Sequence, residues 1–360
     1  MLTASRITVS EGTQAYAKLR SEVIAAGIFE RAYVYYAVVI TAVVVGFFGS
    51  LYAIYRLENY ALLTLACLAF SFFTVQAAGI NHDAGHRAVF KSNRNNNVLG
   101  LFTSMLVGIV FDNWRTRHNA HHAFSNQVGT DPDLEIPFIA TDEAMVASKS
   151  ALQRFLVRYQ AFYYYPLGSI VSFSNRLGTL SYFIRRRSIG DWGRFLLYLP
   201  PLITLFILPF VLFSPGKALF VFSLVHVTSG IYLATCFAPN HKGMPVVGEN
   251  TAMSLIEQQV VTSRNVSGGI LTDIMLVGLN WQTEHHLFPA TPRNKLHLIA
   301  PYLQSACAEL GLTYTSTSFV ETNKDIVRQL YRVQRYASAP KARPQIEPTL
   351  VASGTAGEGS

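Results

Sequence analysis

The sequence predicts an all-α integral membrane fold: four transmembrane helices in two hairpins, with a cytoplasmic helical cap that carries clustered histidines. Three observations predict it. Half of the 360 residues are hydrophobic, only 14% are charged, and mean hydropathy is +0.27, too apolar for a typical soluble chain of this length. Apolar runs come in pairs joined by short polar links. Histidines gather in three clusters at helical spacing, His82-Asp-Ala-Gly-His86, His118-Asn-Ala-His121-His122 and Gln282-Thr-Glu-His285-His286.

Taken in order, residues 1–31 are mixed and polar, so no signal peptide is expected and the first span would serve as the insertion signal. Within them, 11–31 place apolar residues at helical intervals, which suits a helix on the bilayer surface or an ordinary solvent-facing amphipathic helix. The runs 32–55 and 61–80 are each long enough for a hydrocarbon core of ~30 Å, and the link Arg56-Leu-Glu-Asn59 makes them an antiparallel pair. Residues 97–111 are apolar but short, and are expected to dip into the interface or pack on the bundle. A polar region follows over 112–194, with aromatic patches such as Phe162-Tyr-Tyr-Tyr165 suited to the headgroup layer. The runs 195–213 and 218–237, joined by Ser214-Pro-Gly-Lys217, form the second pair, with Pro200 and Pro201 expected to kink the first member. The membrane domain extends to 310. A helical extension over 311–337 is expected to start on a capping box of Thr322 and Asp325, and 338–360, rich in Pro, Ala, Gly and Ser, reads as a disordered tail. No internal repeat is visible beyond the two pairs.

Basic residues set the orientation. The segment between the pairs holds Arg87, Lys91, Arg94, Arg115, Arg117, Arg154, Arg158, Arg176, Arg185, Arg186, Arg187 and Arg194, whereas the two tips hold only Arg56 and Lys217. The positive-inside rule then puts both termini and all three clusters on the cytoplasmic side. The net charge of +8 sits beside apolar runs, so anionic lipid is the expected partner and nucleic acid is not. Cys67, Cys236 and Cys307 are odd in number and form no CxxC, so neither a disulfide framework nor thiolate ligation is expected.

Positions i, i+3 and i+4 fall on one helix face, so each cluster should aim its rings at one point. Neutral imidazole ligates first-row transition metals, and seven rings with a glutamine exceed the roughly four to six donors of one ion, so two ions are the economical reading. His226, inside a span, and His297 belong to no cluster and are not expected to ligate.

The three boxes, the last set in Trp281-Gln-Thr-Glu-His-His-Leu-Phe-Pro289, resemble the membrane fatty acid desaturase family over roughly residues 30–310. Gln282 in place of the third box's first histidine is the pattern of its front-end, linoleoyl-CoA-desaturase-like members, and Asn240-His241 matches the loop ligand that follows the family's last span. The resemblance implies a di-iron site held by His82, His86, His118, His121, His122, His241, His285 and His286, with Gln282 and Asn240 on or near the metals. It implies oxygen-dependent removal of two hydrogens from a fatty acyl chain carried as acyl-CoA or acyl-lipid. Many front-end relatives carry a fused haem-binding domain with a His-Pro-Gly-Gly motif that this sequence lacks, so electrons are expected from a separate ferredoxin or cytochrome.

Around the ligands, Asp83 and Glu284 are read as acceptors for imidazole N–H groups or as surface carboxylates, and Asn119 is a weaker case of the same. Asp131-Pro-Asp133 is read as a turn. Trp114 and Trp281 are read as walls of an acyl tunnel or as interface anchors. The same ligands would serve a di-iron lipid or carotenoid hydroxylase. A metal transporter would need ionisable residues along the spans, where only His226 lies, and the absence of His-Glu-x-x-His disfavours a zinc protease.

Overall fold

The computed structural model describes residues 1–186 and 193–339; the expected tail from 340 onward, and Arg187, lie outside them. Helix α1 (Val9–Ala25) opens on a capping box in which Thr8 accepts from the Glu11 N–H and the Glu11 carboxylate accepts from the Thr8 N–H. It stops earlier than the 11–31 pattern suggests, because Gly27 takes φ +67°. Its apolar face, Leu19 and Val23, packs into a cluster with Ile256, Leu287 and Leu303. The stripe is therefore spent on the protein interior, as in an amphipathic helix with one solvent face.

Among the described residues, three helices are long and apolar enough to cross a membrane: α2 (Tyr33–Arg56), α3 (Tyr60–Gly85) and, further on, Pro215–His241. Asn59 caps α3 by accepting from the Ala61 and Leu62 N–H groups. The α2–α3 seam is packed by pairs such as Phe47 and Phe70, 4.8 Å apart. Residues facing outward, Val38, Val45, Tyr52 and Leu65 among them, are apolar and exposed, which suits a lipid surround.

Helix α4 (Asn93–Val107) is only about 22 Å long at 1.5 Å per residue. It ends on Gly108 at φ +81°, and the chain turns through 103° into α5 (Phe111–Ala123). The expected short apolar run thus becomes a bent pair, a fourth candidate span or a re-entrant loop. Two contacts set the bend. Asn81 on α3 donates to the Gly100 carbonyl at 2.9 Å, and a Cβ at Gly100 would lie 2.2 Å from the Phe111 ring. Only glycine lets the start of α5 sit on α4.

After the short helices α6 (Glu143–Ala147) and α7 (Ala151–Val157), the expected polar region contains the long helix α8 (Gln160–Arg186). The periodicity of 160–186 is mixed, which hid the helix. Small residues do the packing, since a Cβ on Gly230 would reach 2.5 Å from the Gly168 carbonyl.

The expected span 195–213 is divided into a 3₁₀ turn (Leu196–Tyr198), α9 (Leu199–Phe206) and α10 (Leu208–Leu212). Pro200 and Pro201 do not kink a helix; they start one, in the first turn, where a missing N–H costs nothing. The break falls at Ile207, ahead of Pro209. Helix α11 (Pro215–His241) follows, and its Lys217 pairs at 2.9 Å with Glu58 in the α2–α3 link. The histidine-bearing ends of α3 and α11 are thus the ends remote from this ion pair.

The remainder packs against those ends: α12 (Leu255–Thr262), β1 (Asn265–Ser267), α13 (Ile270–Met275), α14 (Gln282–Leu287), a 3₁₀ helix (Arg293–Leu298), α15 (Ala300–Glu309), β2 (Ser316–Ser318) and α16 (Phe319–Ser338). The two strands pair in parallel, Asn265 opposite Ser316, a small departure from an all-helical fold. Helix α16 begins at Phe319 because Ser318 caps it, accepting from the Glu321 N–H. The expected Thr322–Asp325 box lies a turn inside the helix.

Candidate metal centre

Four elements bring the histidines together. His82 and His86 end α3, His118, His121 and His122 lie on α5, His241 ends α11, and His285 and His286 lie on α14. The rings do not converge on one point per box. Side-chain nitrogens of His82, His86, His118, His122 and His285 lie within 4.8 Å of one another, and those of His121, His241 and His286 form a second such set. Successive helical residues point about 100° apart, so each His-His doublet feeds both sets: His122 and His285 the first, His121 and His286 the second. The sets adjoin, with the His122 and His286 rings stacked 4.1 Å apart.

The donor geometry fits metal ions. Facing Nε2 atoms are separated by 3.1 Å (His118–His122), 3.2 Å (His122–His285), 3.3 Å (His121–His241) and 3.1 Å (His241–His286). Two nitrogens bound at right angles, with bonds of about 2.1 Å, would stand about 3 Å apart. Nε2 of His82 and of His86 is buried and has no hydrogen-bond partner, a cost normally avoided unless something binds there.

Several Nδ1 atoms are tied back into the protein, which leaves Nε2 as the free donor. His82 Nδ1 lies 3.3 Å from Asp83 Oδ1, His241 Nδ1 3.1 Å from the Thr262 carbonyl, and His286 Nδ1 2.7 Å from Gln259 Oε1. His121 Nδ1 lies 3.0 Å from both oxygens of Asp131. Asp131 also accepts from the Asn126 N–H at 2.8 Å and the Asp133 N–H at 2.9 Å. It therefore makes the expected turn, and in addition holds a ring the turn reading left unassigned. Gln259 and Thr262 were not legible: neither adjoins a box, and only the fold brings α12 against α14.

Electrostatics agree. Burial pushes the pKa of His285 and His286 well below the usual imidazole range, and neighbouring imidazoles push the same way. These rings are neutral near pH 7, with a lone pair free to bind. Burial works against ionisation of Asp131, but the His121 hydrogen bond, the Asp133 N–H and nearby Lys242 outweigh it and hold the carboxyl below its ordinary value.

The other expected residues divide. Gln282 lies within the second set, its amide nitrogen 2.9 Å from His241 Nε2, and Asn240 orients it by donating to Oε1 at 3.0 Å. Trp114 stacks on His118 at 4.7 Å and walls the first set. Trp281 turns away, its indole N–H donating to Asp273 at 3.1 Å. Glu284 is fully buried but meets no imidazole; it accepts from Asn265 at 2.7 Å and Tyr314 at 2.6 Å. Burial raises its pKa against both bonds. These bonds, with the Thr283 N–H donating to Asn265 Oδ1 at 3.0 Å, hold the six-residue helix α14, which has no side-chain cap of its own. Asn119 is exposed. His226 joins neither set: it packs between Phe206 and Phe222, with Nδ1 3.4 Å from the Arg176 guanidinium. His297 is exposed on the 3₁₀ helix.

A family model described as fatty acid desaturase matches residues 58–318. The chain is 28% identical to a Delta(8)-fatty-acid desaturase of Euglena gracilis, covering 85% of this chain and 75% of that one. It is 30% identical to a Delta(8)-fatty-acid desaturase of Helianthus annuus, covering 89% and 73%, and 28% identical to an acyl-lipid (9-3)-desaturase of Borago officinalis, covering 90% and 75%.

Proposed function

The chain belongs to the fatty acid desaturase family, and on that premise we propose that it introduces a double bond into a fatty acyl chain, as acyl-CoA or acyl-lipid, at a histidine-ligated di-iron centre that uses O2. The observation that carries this reading is the sorting of eight imidazoles, from sequence-distant elements, into two adjoining sets. An unactivated methylene C–H is beyond the reach of any side chain, and a bound iron pair with dioxygen supplies that chemistry.

The protein's part is to hold and to exclude. His82, His86, His118, His122 and His285 would hold one ion, and His121, His241 and His286, with Gln282 beside them, the other. The nitrogen donors are buried, and Trp114 closes one flank, so bulk water is kept from a strong oxidant. Electrons come from a separate ferredoxin or cytochrome. The chain crosses the bilayer in two hairpins, with both termini and the histidines on the cytoplasmic side. The distribution of basic residues supports that orientation, as does the Glu58–Lys217 pair at the end remote from His82 and His241.

The test is to feed defined acyl chains to a host expressing the protein, with and without oxygen, and weigh the products. A product lighter by two hydrogens, formed only in oxygen, is expected. A product that has gained an oxygen atom and no double bond would identify a hydroxylase instead.

A further inference from the structure

Beside the first imidazole set lies a buried charge that no box motif contains. Arg293, 6% exposed, reaches back across 210 residues of sequence to place Nε 2.5 Å from Asp83 Oδ2. The Tyr36 hydroxyl donates to the same oxygen at 2.8 Å, and the Arg293 N–H donates to the Tyr36 oxygen at 3.3 Å. The other oxygen, Asp83 Oδ1, faces His82 Nδ1 at 3.3 Å. From this chain of contacts we infer that Arg293 is a positioning residue for the first metal, acting through Asp83 on His82; the inference rests on the di-iron reading above.

A carboxyl group buried this deeply is costly unless its oxygens are paired and hydrogen-bonded. Arg293 is the cation that touches it among the described residues. Asp83 Oδ1 faces His82 Nδ1, an arrangement that favours the tautomer whose lone pair sits on Nε2, the atom left unpartnered and directed into the set. Arg293 also lies six residues beyond Leu287, the end of α14, so the same contact pins the third box against the first, where the His82 and His285 rings are 4.5 Å apart.

The backbone is shaped to admit this side chain. A Cβ on Gly79 would lie 2.9 Å from Arg293 Nη1, and one on Gly278, which has φ +78°, would lie 2.8 Å from Arg293 Cβ. Two glycines from distant segments line the slot through which the guanidinium passes. A residue that served only to fill the core would not require a charged group there.

The test compares full-length wild type with Arg293→Gln, Arg293→Lys and Asp83→Asn, each loaded anaerobically with ferrous iron and challenged with a graded chelator. Iron per chain is read directly, alongside the melting temperature of the metal-free protein. Arg293→Gln is expected to weaken one of the two irons about 10- to 100-fold, leave the other in place, and melt metal-free near wild type. Lysine should restore part of the loss, and the double variant Asp83→Asn/Arg293→Gln should lose no more than the worse single. Wild-type retention of both irons in Arg293→Gln would overturn the inference, as would equal weakening of both irons with a lowered metal-free melting point in Arg293→Lys as well. Wild type that never takes up two irons would instead overturn the di-iron reading.

Discussion

Asp131→Asn isolates one contact of the second imidazole set. In the wild type both carboxylate oxygens lie 3.0 Å from His121 Nδ1, and each also accepts a backbone N–H, from Asn126 and Asp133. An amide of the same shape keeps one acceptor oxygen, but turns the other position into a donor that faces an N–H. One charge-assisted bond is lost, worth about 1.5–3 kcal/mol, and one donor is left buried without a partner, at about 1–3 kcal/mol. Part of this falls on folding and part on His121. If the ring's share matches other second-layer carboxylates, metal affinity at the second set drops about 10- to 100-fold. The assay is iron retention in a chelator series, with chemical unfolding of the metal-free protein run over pH. The sign of the pH dependence is fixed: a carboxyl with a depressed folded pKa contributes stability that is present above its unfolded value, about 3.9, and fades as pH falls through the lower folded value. The stability gap between wild type and variant should therefore be flat from pH 5 to 8 and close only in stronger acid. Iron held as tightly as in wild type, or a gap that shrinks near pH 6, would refute the role assigned to Asp131.

Alanine at His118, His121 or His122 should abolish desaturation while the protein still inserts in membranes, read by product analysis beside membrane fractionation. Gln282→His is expected to keep partial activity, since an imidazole beside His241 can also ligate; complete loss of iron would give the glutamine a more exacting task. Gly100→Ala, whose new Cβ would collide with the Phe111 ring, should lower stability by roughly 1–3 kcal/mol through overpacking and cut iron content, because the α4–α5 bend carries three of the proposed ligands. Normal iron with a lowered melting point would separate the bend from the metal site.

Local chemistry was legible wherever it is carried by neighbours in sequence. The three boxes and the spans at 32–55 and 61–80 stand out because spacing and hydropathy report them directly; His241 is marked only by the family resemblance, and it ends helix α11 instead of lying in a loop. The helix 160–186 did not, since its packing depends on small residues such as Gly168 meeting Gly230, a signal invisible until both helices are placed. The division of 195–213 is not carried by hydropathy: Pro200 and Pro201 stand in the first turn of a helix, where proline initiates instead of kinking. Only half of the role of Asp131 is local: turn chemistry reads from neighbours, whereas its bond to His121 crosses from a loop to a helix face.

The same distinction explains why the two sets differ in kind. The first takes its donors from α3, α5 and α14, with Asp83 and Arg293 as its anchor. The second holds three imidazoles, and its further contacts come from side-chain amides and carbonyls: Gln282, Asn240, Gln259 and the Thr262 backbone. Such neutral groups cannot supply charge, and the carboxylate hydrogen-bonded to the second set is Asp131, with the exposed Asp133 carboxylate within 4.8 Å of it and of His121. Two ions in these surroundings would meet different fields, the first against a paired carboxylate, the second against a carboxylate whose partner is the ligand itself. A more ionic hydrogen bond to Nδ1 makes an imidazole the stronger donor. His121 should therefore be the strongest single anchor of the second ion, and its loss should cost that ion more than the loss of His241, whose Nδ1 meets only a carbonyl and a hydroxyl. Measured iron at the second set in His121→Ala against His241→Ala would decide the order, and the reverse ranking would show that the carboxylate serves the turn more than the metal.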